Sequence, residues 1–302
     1  MTYNGIVARV RGPVADILLD DGRVVPAVPR GTLKRERRGT LLAVGDRVRV
    51  VERRDKDTWV IEEIAPRERA LVRRWPNTQG RMDVIVANPD QAFFMFAVRD
   101  PHPRLQMLDR LLVIAEDNDI PAGVIVNKID LDTEGRAHEI FRDYERAGYP
   151  VFYLSVRTGQ GLDQVQEHLK DRITVLAGPS GTGKSSLINA LEPTVRLPTM
   201  PISRKWRQGR HTTVMAQLIP LSGGGYIVDT PGLREVGLWG VDLENLDYYF
   251  PEFRPYLGKC RFNDCRHLDE PGCAVLQAVE EGKISRRRYE SYVRILLSEG
   301  VG

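Results

Sequence analysis

Cysteine is scarce in this 302-residue chain, with three in all, at Cys260, Cys265 and Cys273. So small and odd a number argues against a disulfide framework, and crowding all three into one short segment points first to a metal. Long apolar runs are missing too: nothing approaches the about 18 residues that would suggest a membrane helix. The opening stretch MTYNGIVARV has neither the basic-then-apolar character of a secretory leader nor the Arg- and Ser-rich character of a transit peptide. A cytoplasmic protein that engages no membrane is therefore expected. Internal repeats and low-complexity tracts are absent, and no coiled coil or large apolar stripe asks for a dimer, so a monomer is expected.

Net charge is also small, at +3. Basic residues nevertheless cluster at Arg30 to Arg38, at Arg204 to Arg210 (RKWRQGR) and at Arg286 to Arg288. Each cluster either meets a phosphate backbone or forms solvated surface charge. With 42% hydrophobic residues over 302 positions, the chain has the means for two or three packed domains.

Residues 3 to 65 read as five short alternating strands, with turn signals at Asp21-Gly22 and Gly45-Asp46. That count suggests a small barrel, OB-like or SH3-like. The first domain is placed at residues 1–70, followed by a linker at 71–82 where Pro and Gly interrupt the pattern (RRWPNTQGR). From residue 83 to 238 apolar strands alternate with helical patterns, which predicts a parallel sheet covered on both faces. Residues 239–302 form a third, helical unit carrying the cysteines.

The segment GPSGTGKSS contains Gly178, Pro179, Ser180, Gly181, Thr182, Gly183, Lys184, Ser185 and Ser186, and fits a P-loop between an apolar strand and a helix. Backbone N–H groups and the helix N-terminus would face phosphates there, with Lys184 reaching the outer phosphates and Ser185 offering a hydroxyl to Mg²⁺. Downstream, Asp229-Thr-Pro-Gly232 follows a strand, so that Asp229 would serve the Mg²⁺ shell and the Gly232 N–H would face the γ-phosphate. Between them, GRHTT offers Thr212 or Thr213 as a further Mg²⁺ ligand.

Upstream of the P-loop lies Asn127-Lys128-Ile129-Asp130, at the end of the apolar stretch GVIV. A carboxylate at Asp130 accepts from the N1–H and exocyclic amine of guanine, whereas adenine offers an acceptor and a C–H there. Lys128 would lie over the ring, Asn127 would tie the loop to the P-loop, and Ser155-Val156 would supply an N–H to the base oxygen. The base loop thus precedes the phosphate loop, the reverse of the common order. A parallel sheet gathers its functional loops at the strand carboxyl ends whatever their order along the chain. Residues 83–238 therefore read as a GTPase domain in circularly permuted order.

Cys260-x4-Cys265-x-His267-x5-Cys273 offers three thiolates and an imidazole, a closed tetrahedral set suited to structural Zn²⁺. Where Ras-like enzymes carry a water-orienting Gln after Asp-Thr-Pro-Gly, this chain has Leu233, which cannot hydrogen-bond water. Slow intrinsic turnover is expected, with His211 or a partner residue completing the site.

The permuted order, the preceding barrel, GRHTT and the Cys₃His spacing together resemble the RsgA (YjeQ) family of GTPases dependent on the small ribosomal subunit. The resemblance covers almost the whole chain, without clear departure in the nucleotide or metal motifs. It implies an N-terminal OB-fold, a permuted GTPase domain and a C-terminal zinc domain. It further implies late maturation of the small (30S) subunit, contact with its rRNA, and subunit-stimulated hydrolysis of GTP to GDP and phosphate. Two other classes remain open: a GTPase that modifies RNA or handles metal, and an ATP-dependent kinase or metal-centred nucleic-acid binder.

Overall fold

The structure is a computed structural model and describes residues 1–31, 33, 40–53, 58–74, 82–197, 216–230 and 241–299. At the N-terminus β1 (Thr2–Arg11), β2 (Val14–Leu19), β3 (Val24–Pro29), β4 (Arg47–Arg53) and β5 (Thr58–Ile64) run through the expected positions. They pair in the order β1-β2-β3-β5-β4, and β4 returns to β1, which closes a five-stranded barrel of the OB type. Alternation decides which side chains fill it. Ala15, Ile17 and Leu19 of β2 meet Val25 and Ala27 of β3, Val50 of β4 and Ile61 of β5, while the intervening residues face outward. Strand β1 pairs with both β2 and β4, and its register with β2 shifts between Val7 and Arg9.

Residues 71–74, at the start of the expected linker, continue as strand. β6 (Ala70–Arg74) and β7 (Met82–Ala87) make an antiparallel ribbon. It is fastened on both sides. The Ala87 N–H donates to the Val44 carbonyl at 2.7 Å, and the Val72 N–H donates to Asn118 Oδ1 at 3.1 Å. Nearby, Arg67 grips the fully buried Asp46 carboxylate through Nε and Nη2, both at 2.7 Å.

The central domain is a sheet in the order β10-β9-β8-β11-β13-β12, made of β8 (Gln91–Ala97), β9 (Ala122–Asn127), β10 (Val151–Tyr153), β11 (Ile173–Ala177), β12 (Gln217–Pro220) and β13 (Tyr226–Asp229). All pairs are parallel except β12 with β13. Every residue of β8 is buried, as a central strand covered on both faces requires. Phe94 and Phe96 pack on one face with α1 (Leu105–Asp117) and α2 (Ala137–Arg146). Phe93 and Met95 pack on the other with α3 (Leu162–Leu169) and α4 (Lys184–Leu191). At the far edge β12 also touches the barrel, where Arg9 of β1 pairs with Gln217.

The C-terminal region, with α5 (Ala274–Glu280) and α6 (Arg286–Glu299), shares its core with the α1 face: Phe250, Phe253, Tyr292 and Ile295 belong to the same apolar cluster as Leu108 and Leu112. One cluster of basic residues takes a course that composition could not show. Arg288 is 1% exposed and donates to Asp109 Oδ1 at 2.7 Å and to Glu252 Oε1 at 2.7 Å. Arg287 bridges Asp109 and Asp143. Arg288 is thus a buried partner of carboxylates and not solvated charge, and Arg287, one third exposed, is paired with two carboxylates. They bind α6 to α1 and α2, and the acidic partners sit too far away in sequence for pattern reading to find.

Candidate functional site

Parallel pairing brings three loops to one edge of the sheet. Ala177, the last residue of β11, stands beside Phe94 of β8, and Ala97 at the end of β8 stands beside Asn127. On the other flank, Leu176 pairs with Asp229. The phosphate-loop candidate, the base-loop candidate and the Asp229 turn therefore open on the same side.

Asn127 joins them. Its Nδ2 donates to the Thr182 carbonyl of the Gly-rich loop at 2.8 Å, and its Oδ1 accepts from the Val156 N–H at 3.1 Å. The residue is 2% exposed, so these bonds are shielded from water. Two glycines make the approach possible. At Gly183 φ is +102°, and a Cβ would stand 2.4 Å from Asn127 Nδ2; at Gly178 φ is +140°, and a Cβ would stand 2.2 Å from the Met95 carbonyl oxygen. Gly183 directly precedes α4, and the Leu187 N–H donates to its carbonyl at 2.8 Å.

Lys184 is 6% exposed, and its ammonium donates to the Gly178 and Pro179 carbonyls at 2.7 and 2.6 Å. Thr182 Oγ1 donates to the Pro179 carbonyl at 3.0 Å, closing the same loop. Ser180 and Gly181 form its exposed crest, while Ser185 and Ser186 lie half-buried in the first turn of α4. These contacts give the loop a cation and a helix N-terminus in one place, which suits an anionic ligand.

In the base loop Lys128 adopts a left-handed backbone, φ +64°, and its Nζ donates to the Asp100 carbonyl. Ile129 and Asp130 enter a short 3₁₀ turn, and Asp132 then caps α2 by accepting from the Arg136 and Ala137 N–H groups. Asp130 Oδ1 accepts from the Ser155 hydroxyl at 2.6 Å, and its Oδ2 faces Arg157 Nε at 3.0 Å. The Ser155 hydrogen bond, with Arg157 adding attraction, holds the Asp130 carboxyl below its ordinary range. The sequence named Ser155 and Val156 for their backbone. That the Ser155 hydroxyl orients Asp130, and that Arg157 pairs with it, carries no motif-level signal. His211, Thr212, Thr213, Gly232, Leu233 and the RKWRQGR cluster lie outside the described residues.

The structure brings Cys260, Cys265, His267 and Cys273 together with all ligand atoms within 4.8 Å. His267 Nδ1 stands 3.6, 3.5 and 3.3 Å from the sulfurs of Cys260, Cys265 and Cys273, and Cys260 Sγ is 3.9 Å from Cys273 Sγ. A tetrahedron with metal–sulfur bonds of about 2.3 Å and a metal–nitrogen bond of about 2.0 Å has edges of about 3.5–3.8 Å. The set fits, and it could hold a metal ion. Burial pushes the Cys265 thiol up to about 12, so a thiolate here calls for a cation beside it. Asp247, absent from the sequence reading because no spacing marks it, accepts from His267 Nε2 at 3.3 Å and so directs Nδ1 to the sulfurs. Backbone N–H groups of Ala274 and Leu276 point at Cys260 and Cys273 sulfurs. From α6, the Tyr289 and Tyr292 hydroxyls donate to the His267 and Arg266 carbonyls at 2.8 and 2.9 Å.

The chain is similar to known proteins over almost its whole length. A family model described as RsgA GTPase matches residues 64–239. A small ribosomal subunit biogenesis GTPase RsgA of Gemmatimonas aurantiaca is 47% identical over 96% of this chain and 95% of its own. Among solved structures, YjeQ from Thermotoga maritima superposes with a TM-score of 0.80 at 32% identity, covering 99% of this chain and 98% of its own. YloQ, described as a circularly permuted GTPase, superposes with a TM-score of 0.76 at 31% identity, covering 99% of this chain and 95% of its own.

Proposed function

We propose, from the premise that this chain belongs to the RsgA family of GTP-hydrolysing enzymes, that it binds the small ribosomal subunit through its rRNA and assists a late step of its maturation. GTP hydrolysis to GDP and phosphate is stimulated by the subunit, and the protein acts as a cytoplasmic monomer. The observation that carries the nucleotide reading is the Asn127 side chain, hydrogen-bonded to the Gly-rich loop on one side and to the Val156 N–H on the other. It ties together loops that are distant in sequence. The ribosomal reading is supported by relatives whose names carry it and whose likeness extends over the barrel and the Cys₃His region as well as the GTPase domain.

In this reading Asp130 accepts from the Watson–Crick edge of guanine, and the Ser155 hydroxyl keeps its carboxylate ionised. The aliphatic stem of Lys128 covers the ring, and the N–H groups of the Ser155-Val156 turn face the base oxygen. Residues 178 to 186 wrap the phosphates. Lys184 exchanges neutral carbonyl acceptors for phosphate oxygens that carry charge, a stronger partner in a buried place. Ser185, Asp229 and Thr212 or Thr213 would hold Mg²⁺, which offsets charge on the outer phosphates. The Gly232 N–H would meet the γ-phosphate. Because Leu233 cannot orient water, His211 or a group from the ribosomal subunit completes the site, and turnover by the free protein is slow. The Cys₃His set holds Zn²⁺ in a structural role: all four positions are filled by protein, so none is open for substrate.

The test is cosedimentation with small ribosomal subunits in the presence of a non-hydrolysable GTP analogue, GDP or no nucleotide, alongside phosphate release with and without subunits. Retention with the analogue, loss with GDP and accelerated release support the proposal. Equal binding in all three states with no acceleration would refute it.

A further inference from the structure

The carboxylate of Asp130 has both oxygens occupied by the protein itself. Ser155 donates to Oδ1, and Arg157 Nε stands 3.0 Å from Oδ2. Guanine offers such a carboxylate two N–H donors on adjacent positions of one planar edge. A guanidinium offers the same: coplanar N–H groups around one carbon. The root of Arg157 is anchored, because the neighbouring Val156 N–H donates to Asn127 and the Thr158 N–H donates to Ser155 Oγ. Its head is not. The side chain is 77% exposed, so only a water-screened ion pair holds it on Asp130.

We propose that Arg157 is a tethered competitor of guanine: its guanidinium sits on the Asp130 oxygen that the base must use, and GTP or GDP seats only after displacing it. The inference rests on the reading of Asp130 as the guanine reader. Between nucleotides the pair keeps the carboxylate charged and aimed. When nucleotide arrives the pair opens, at a cost that appears in the association rate. No bond is made or broken covalently, and the displaced guanidinium returns to water.

The experiment is stopped-flow binding of a ribose-labelled fluorescent GDP to the full chain, to Arg157→Ala and to Arg157→Lys, at low and high salt. Losing an exposed pair of this kind should speed association of Arg157→Ala by about two- to fivefold. Dissociation should be unchanged, and Arg157→Lys should fall between. The difference should close in about 1 M salt, where the screening length is about 3 Å. Association that is unchanged or slower in Arg157→Ala at low salt overturns the proposal. Faster dissociation also overturns it, because Arg157 would then be a ligand of the bound nucleotide. A second arm separates this from the underlying reading. Asp130→Asn should prefer xanthosine diphosphate to GDP, and in that background Arg157→Ala should leave association unchanged, since an amide holds no ion pair. Absence of the xanthine preference refutes the role of Asp130. Its presence, with no effect of Arg157→Ala in the parent chain, refutes only the competitor.

Discussion

Arg288→Met tests whether the C-terminal region is fastened to the GTPase helices by charge. The guanidinium is 1% exposed and is shared between Asp109, itself fully buried, and Glu252, whose side chain is 10% exposed. Methionine replaces much of the volume but no donor. Breaking a buried pair from one side costs about 3–5 kcal/mol, because the surviving charge keeps its desolvation penalty. Asp109 retains Arg287 Nη1 at 3.2 Å and the Tyr144 hydroxyl at 2.8 Å, while Glu252 loses both of its bonds to Arg288. The expected loss is therefore at the lower end, about 3 kcal/mol. Hydrogen exchange across α1 and α6 reads the local opening free energy directly. Adding Asp109→Asn and Glu252→Gln should restore most of the loss. A deficit below about 1 kcal/mol would show that apolar packing and not the ion cluster joins these elements.

Further outcomes follow from the same geometry. Gly183→Ala should weaken GDP binding at least about tenfold by calorimetry, since its Cβ would displace Asn127 and its φ of +102° strains any side chain. Asn127→Ala removes both links between loops and should weaken GDP about tenfold to a hundredfold. Asp247→Asn keeps all four metal ligands but loses the charge that steers His267. Metal affinity in competition with a chelating dye should fall about 10- to 100-fold. Glu192 is held down to about 2 by the Ser222 and Thr194 hydroxyls, so it contributes stability above about pH 4.5 that is lost as the pH falls toward 2. Glu192→Gln should flatten that part of the acid-unfolding curve followed by circular dichroism.

Much of the arrangement was legible in the sequence because its determinants are local. The alternation in β2 and β3, the apolar run Ala92 to Ala97 of β8 and the Gly-x-x-x-x-Gly-Lys-Ser spacing each record a constraint acting within a few residues. Permutation was legible because the base loop and the P-loop are separate local signals whose order can simply be read. What stayed hidden is nonlocal. Residues 71–74 looked like part of a linker, yet they form strand because Met82–Ala87 pairs with them. Arg287 and Arg288 read as either a phosphate contact or surface charge because Asp109, Asp143 and Glu252 are brought to them only by tertiary packing. Asp247 carries no spacing signal, since a group that orients a metal ligand needs only to be near it in space.

Helix α6 shows why these nonlocal contacts matter to one another. Near its start Arg287 and Arg288 reach α1 and α2, and just beyond them Tyr289 and Tyr292 reach the carbonyls of the loop that carries Arg266 and His267. The same rigid element therefore fastens the metal-ligand loop and the helix that follows the base loop. Helix α2 in turn is capped by Asp132, two residues beyond Asp130. In the permuted order the Asp229 strand is the last of the domain, so the chain passes from it straight into this same C-terminal region. The C-terminal region is thus joined to the base side of the pocket by packing and to the Asp229 side by covalent connection. In the unpermuted order the segment after Asp229 would continue into the base-loop half of the sheet. A C-terminal addition would then follow that half and would have no covalent connection to the phosphate side.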